Sequence, residues 1–203
     1  LIYQVIWLRK LGLVFGVTVF AASTVWASFM GGLAIGSLLA GAVADRVRRP
    51  LFWFAGAEAL IGLSALLTPF GLELFQGWFV AIHPSLPQNA LALTTLRVLA
   101  TLAVLFVPTV LMGATLPLVI KSSLIRSARL GPRVGTLYAT NTVGAIIGTL
   151  GAGLSLIPRF GMGDALLYAA VLNLSVAACA VLVAFAQSRV DAGVMPPGDA
   201  AAG

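Results

Sequence analysis

Charge is scarce in this sequence. Only 9% of its 203 residues are Asp, Glu, Lys or Arg, where an ordinary soluble domain carries about 25%. So few charges cannot wet the surface of a water-soluble globule of this size, which argues against a soluble enzyme, a disordered tail and a coiled coil together. Cysteine is down to Cys179, so no internal disulfide and no thiolate metal cluster can form, and a secreted disulfide scaffold is excluded. Histidine is down to His83, beside Pro84, and a protein-built zinc site needs more nitrogen and sulfur ligands than that. Neither a Walker loop nor a His-Glu-x-x-His pair is present. The run Gly161-Met162-Gly163-Asp164 follows no strand pattern, so it reads as a turn with Asp164 capping the next helix, not as a nucleotide loop. No metal and no cofactor is expected in this chain.

What is present is apolar. Hydrophobic residues make up 60% of the chain and the mean hydropathy is +1.06. At about 20 apolar residues per crossing, the length suits about five or six spans. The fold class expected is therefore an all-α integral membrane bundle of about six transmembrane helices over residues 1–186. Leu1 lies inside an apolar stretch, so the first span is expected to be truncated and closed by Arg9 and Lys10. Leu11 to Ala44 carries no charge, which predicts a short loop near Gly12–Gly16 and a long second helix from about Thr18. The third span is expected from Leu51 to Thr68, ended by Pro69. An amphipathic interfacial helix anchored by Trp78 should follow. A fourth span with Pro108 and Pro117 covers about Val98 to Ile120, a fifth Val134 to Pro158, and a sixth Ala165 to Ala186. Residues 187–203, rich in Gly, Pro, Ala and Asp, read as a flexible tail or a linker to a further domain.

The basic residues then serve as topology signals, not as a nucleic-acid face. With the 45–50 loop in the cytoplasm, that side holds Arg46, Arg48, Arg49, Lys121, Arg126, Arg129, Arg133 and Arg189. The other side holds Arg9, Lys10, Arg97 and Arg159. This asymmetry predicts a multi-pass protein of the cell (inner) membrane with both ends cytoplasmic. Loops 45–50 and 121–133 would lie inside and residues 70–96 outside.

Against that apolar background the polar residues stand out. Glu58 is the one carboxylate within the third span, about 10 Å into the helix. A charge there is costly unless it is paired, protonated or facing a wet cavity. It is expected to face the bundle, against the fifth span or the first, either as a proton or cation site or as a structural hydrogen bond to a neighbouring helix. Asn141, with Tyr138, Thr140 and Thr142 around it, and Asn173 are candidates for helix-to-helix hydrogen bonds. The candidate intramembrane polar site is thus Glu58, Asn141 and Tyr138. Glycine pairs four apart (Gly12/Gly16, Gly32/Gly36, Gly144/Gly148) mark close helix approach.

Three stretches in order resemble one family. They are Leu1-Ile2-Tyr3-Gln4-Val5-Ile6-Trp7-Leu8-Arg9; then Phe29-Met30-Gly31-Gly32-Leu33-Ala34-Ile35-Gly36-Ser37 leading to Ala44-Asp45-Arg46; then Pro108-Thr109-Val110-Leu111-Met112-Gly113-Ala114-Thr115-Leu116-Pro117 with Gly135 to Ala145. Together they resemble the membrane region of spermidine-synthase-like proteins, in which a major-facilitator-type module is fused to an aminopropyltransferase domain. The resemblance implies a half-bundle of the major facilitator type, anchoring such a domain and moving polyamines. The alternatives are a six-helix half of a secondary transporter, paired with a second copy, and a structural membrane-assembly subunit. The stretch Gly41-x-x-x-Asp45-Arg46-x-Arg48-Arg49 resembles the loop between spans two and three of major facilitators, which would make Asp45, Arg46 and Arg49 a cytoplasmic charge latch. The glycine that family often carries near Arg48 is absent. The six acidic residues Asp45, Glu58, Glu73, Asp164, Asp191 and Asp199 include none in a strand–loop–helix setting. No aminopropyltransferase site is therefore expected in this chain, and its partners are expected to be the lipid bilayer and the missing synthase domain.

Overall fold

The computed structural model describes residues 1–15, 19–44, 46–82, 89–124 and 130–193. Every described element is helical: α1 (Ile2–Phe15), α2 (Val19–Ala44), α3 (Pro50–Ile82), α4 (Ala90–Leu124), α5 (Leu130–Gly151), a π-helical segment (Ala152–Leu156) and α6 (Ile157–Gly193). Apolar runs of this length fold as helices because a helix satisfies every backbone N–H and C=O within itself, which lipid cannot do. Four of the helical stretches are long and apolar enough to cross a membrane: Ala22–Ala44, Pro50–Ile82, Ala92–Ser122 and Val134–Arg189.

The boundaries differ from the sequence expectation at both ends of α4, which runs from Ala90 to Leu124 where about Val98 to Ile120 was expected, and in three further places. Arg9 and Lys10 do not close the first helix; α1 runs on to Phe15. Tyr3, Trp7 and Leu11, at i, i+4 and i+8, form one buried face, and exposed Arg9 lies off that face, so packing the face does not bury the charge. Pro69 does not end α3, and no separate interfacial helix follows; the helix is continuous through Ile82, with Trp78 on it. Proline at 69 frees the carbonyl of Ala65, and the Thr68 hydroxyl donates to that same oxygen at 2.7 Å. The Trp7 indole Nε1 donates in turn to Thr68 Oγ1 at 2.9 Å. This relay of local and tertiary bonds carries the helix past its proline. His83 and the rest of 83–88 lie outside the described residues.

The third difference is at the end of the chain. The span Val134–Arg189 is 56 residues long, far more than one crossing requires. It is broken at Gly161, whose φ of 82° and ψ of 174° are non-helical and are available to glycine without strain. Asn141 and Asn173 line one cavity, whereas a straight helix would hold them roughly 48 Å apart. The chain therefore turns back on itself at Gly161. Beyond Gly161, α6 runs on past Ala186 to Gly193; residues 194–203 lie outside the described residues.

The packing is small inside and large outside. In α6 the buried positions include Ala165, Ala169, Ala170, Ala177, Ala180 and Ala184, while Leu167, Leu172, Leu182 and Phe185 face outward. Small residues let helix backbones approach where no hydrophobic gradient drives them together, and large ones face an apolar solvent at no cost. α3 and α6 meet along such a seam, antiparallel, with Phe52 against Phe185, Glu58 against Asn173 and Gly62 against the Ala170 carbonyl. At the centre stands α1. Trp7, Ile6 and Leu11 are fully buried and join Phe29, Ile61, Ala65, Leu105 and Ala169 in one core cluster. α2 and α4 press backbone to backbone: a Cβ at Gly36 would strike the Val110 carbonyl, and one at Gly113 the backbone of Leu33.

The Thr68 relay sets an expected outcome. Thr68→Val should cost about 2 kcal/mol, because it strands both the Ala65 carbonyl and the Trp7 N–H in an apolar interior. Thr68→Ser should keep most of the stability. Thermal unfolding in detergent measures both, and a Thr68→Val protein as stable as its parent would refute the relay.

Candidate functional site

A cavity of about 510 Å³ opens between the helices, and each of the six contributes one polar side chain to its lining: Tyr3 from α1, Ser37 from α2, Glu58 from α3, Thr115 from α4, Asn141 from α5 and Asn173 from α6. Phe29, Leu33, Ile61, Met112 and Leu116 form the apolar part of the wall. That volume lies within the roughly 300–1,000 Å³ of small-molecule sites, and an apolar wall with a few convergent polar groups is their usual composition.

Three of the polar groups form a chain of hydrogen bonds. The Asn173 amide Nδ2 donates to Glu58 Oε2 at 2.7 Å, and the Tyr3 hydroxyl donates to Asn173 Oδ1 at 3.3 Å. Asn173 thus bridges α1 and α3 with both ends of its amide. Tyr3 is held from behind by Trp7, the rings stacked at 5.6 Å. Thr115 donates to the Met112 carbonyl at 2.8 Å, which leaves its oxygen lone pairs to the cavity. Asn141 has no hydrogen bond to another described residue, so its amide is open to whatever fills the space.

Glu58 faces the bundle as its cost in lipid requires. Its direct partner, however, lies on α6, and α1 is reached through Asn173; the fifth helix contributes Asn141 across the cavity. Tyr138 is placed elsewhere: it is 63% exposed and does not line the cavity. Tyr138 and Asn141 are neighbours three residues apart along one side of α5, and of the two only Asn141 lines the cavity. Asp45 lies outside the described residues. Arg46 and Arg49 are exposed on the short connection between α2 and α3, and the Arg49 guanidinium lies 5.9 Å above the Phe52 ring. Among the described residues no group of three His, Cys, Asp or Glu gathers that could hold a metal ion.

Sequence reasoning missed Tyr3, Ser37 and Thr115 as members of the site. Ser37 and Thr115 are ordinary helix hydroxyls by sequence. Tyr3 carried a usable signal, since it stands four residues before Trp7 on one helical face. Chemically the cavity offers one carboxylate, two amides, a phenol and two hydroxyls. Glu58 is the single charged side chain in the lining, and the oxygens around it can accept N–H bonds. That set suits the recognition of an ammonium group better than that of an anion, for which no cationic side chain lines the wall. No protein-family model, no curated protein and no solved structure matches this chain.

Proposed function

We propose that this chain is the membrane module of a protein in which it anchors a catalytic domain and binds a small organic cation in the bilayer. The cation is a polyamine or another primary amine, as the resemblance to spermidine-synthase-like proteins implies, and an aminopropyltransferase domain is the partner that such a module anchors. The observation that carries this reading is the lone carboxylate of Glu58 in a 510 Å³ cavity with a polar group from every helix. In this reading the chain crosses the membrane six times, α1 through α4 once each, with the fifth and sixth crossings meeting at Gly161, as in one half of a major facilitator. Both ends are cytoplasmic, supported by the eight-to-four basic asymmetry. On a Cys179→Ala background, a cysteine at position 126 should resist an impermeant thiol reagent added outside; labelling there would overturn the orientation.

A second reading is a stand-alone transporter half that works as a pair. It is favoured by α5, where Tyr138, Thr140, Asn141 and Thr142 are all exposed. The threonines satisfy themselves on their own helix, Thr140 on the Thr136 carbonyl at 2.8 Å and Thr142 on that of Tyr138 at 2.9 Å, but Tyr138, 63% exposed and away from the cavity, calls for cover in lipid. One experiment separates the readings. The purified chain is tested for binding of labelled putrescine and spermidine, then reconstituted in vesicles and tested for uptake. Binding without uptake supports the anchoring module, uptake by the chain alone supports the paired transporter, and absence of both refutes the amine site.

A further inference from the structure

A second cavity of about 510 Å³ lies between α2, α3 and α4, and its chemistry is the opposite of the first. Leu39, Val43, Val47, Trp53, Leu60 and Leu118 are among its walls, and no charged or amide side chain lines it. It runs along α3 from Phe52 to Leu60, a depth of about 12 Å, and it begins at the connection between α2 and α3. The connection is tucked against the end of α2 by Arg46 N–H to the Val43 carbonyl at 2.9 Å and Val47 N–H to that of Ala44 at 3.3 Å. Val47 thereby joins the apolar lining, while Arg46, Arg48 and Arg49 on either side of it are exposed. Arg49 also sits over Phe52, itself a wall of the groove.

We infer that this groove is a binding site for an anionic phospholipid. One acyl chain lies in the groove and the phosphate is held at its mouth by Arg46, Arg48 and Arg49. The charge complementarity is local: even with Asp45 counted, the segment 45–49 carries a net charge of +2. Arginine is the side chain best suited to phosphate, because its planar fork donates two parallel bonds. The mouth is also the N-terminus of α3, where the helix dipole favours a negative charge. Basic clusters at the membrane surface next to an apolar inter-helix groove are the general form of anionic headgroup recognition. A zwitterionic lipid has the same acyl chain but no net charge to meet three arginines. The inference does not depend on what the first cavity binds.

Trp53 lines the groove and reports its occupant. With Trp26→Phe and Trp78→Phe removing the other exposed indoles, and Trp7 fully buried, the purified protein in detergent is titrated with brominated phosphatidylglycerol, phosphatidylcholine or phosphatidylethanolamine. Phosphatidylglycerol should quench Trp53 at about tenfold lower mole fraction than either zwitterionic lipid. Replacing Arg46, Arg48 and Arg49 together by Gln should bring all three lipids to the same weak quenching. Gly56→Leu should reduce quenching by all of them, since Gly56 lines the groove and a Cβ there meets nothing within 4 Å, which leaves room for a side chain to enter the groove. The lipid preference of the unsubstituted groove is read even if a variant fails to fold. Equal quenching by the three lipids, or a triple variant that keeps the preference, would overturn the site.

Discussion

Glu58→Gln should weaken amine binding by at least about tenfold while leaving the fold intact. Glutamine keeps the shape of the side chain and an oxygen to accept the bond that Asn173 Nδ2 now makes to Glu58 at 2.7 Å, so the α3–α6 seam survives. What is lost is the negative charge, the only one contributed by a side chain in the cavity lining. A hydrogen bond to a charged group contributes about 1.5–3 kcal/mol, so affinity for a primary amine should fall roughly 10- to 150-fold, with the melting temperature close to the parent's. Asn173→Ala makes the contrast. It removes the bridge between Tyr3 and Glu58 and should lower stability and binding together. Titration of both variants with labelled spermidine, beside thermal melts, measures the split. A Glu58→Gln protein that binds amine as the parent does would return Glu58 to a purely structural part in the α3–α6 contact.

The largest expected effect on stability is at a glycine. Gly36→Ala should cost about 3 kcal/mol or more, at the upper end for overpacking, because the added Cβ collides with a backbone carbonyl, that of Val110. A side chain could swing aside; a backbone oxygen in the middle of α4 can move only with its helix. Gly113→Ala should behave the same way against the backbone of Leu33. Gly31→Ala is the control. It lies on the same helix, a Cβ there meets nothing within 4 Å, and losing glycine's backbone freedom should leave stability unchanged or raise it by several tenths of a kcal/mol. Unfolding by a denaturing detergent orders the three, and a Gly36→Ala protein as stable as Gly31→Ala would show that α2 and α4 do not meet as closely as described.

The pairs of glycines four apart were visible in the sequence as equals, and the structure separates them. Gly32 and Gly36 are pressed against α4, whereas Gly144 meets nothing within 4 Å and Gly148 touches only the start of α1. Helix type, the apolar character of the four long stretches and the isolation of Glu58 were all legible, because each depends on local composition and on the cost of a charge among apolar residues. Gly161 was legible as a turn. That the turn brings Asn173 and Asn141 to line one cavity was not. Pro69 was misleading for a related reason: proline's local effect is to end a helix, and only a hydroxyl at Thr68 and an indole from a distant helix overrule it.

Which way each helix faces was decided by tertiary structure alone. In water, an apolar stripe names the inner face of a helix, since burial of that stripe is what drives folding. Here both the interior and the surroundings of the long helices are apolar, so Leu67 faces outward and Ala65 inward with no hydrophobic gradient to distinguish them. The sequence by itself determined that the long apolar stretches are helices, and it singled out Glu58 among them. The meeting of six polar side chains around one cavity, and the close approach of α2 to α4 at Gly36 and Gly113 and of α3 to α6 at Gly62, were decided by the tertiary structure, because contact distance between backbones, not hydrophobicity, sorts helix faces when the solvent is itself apolar.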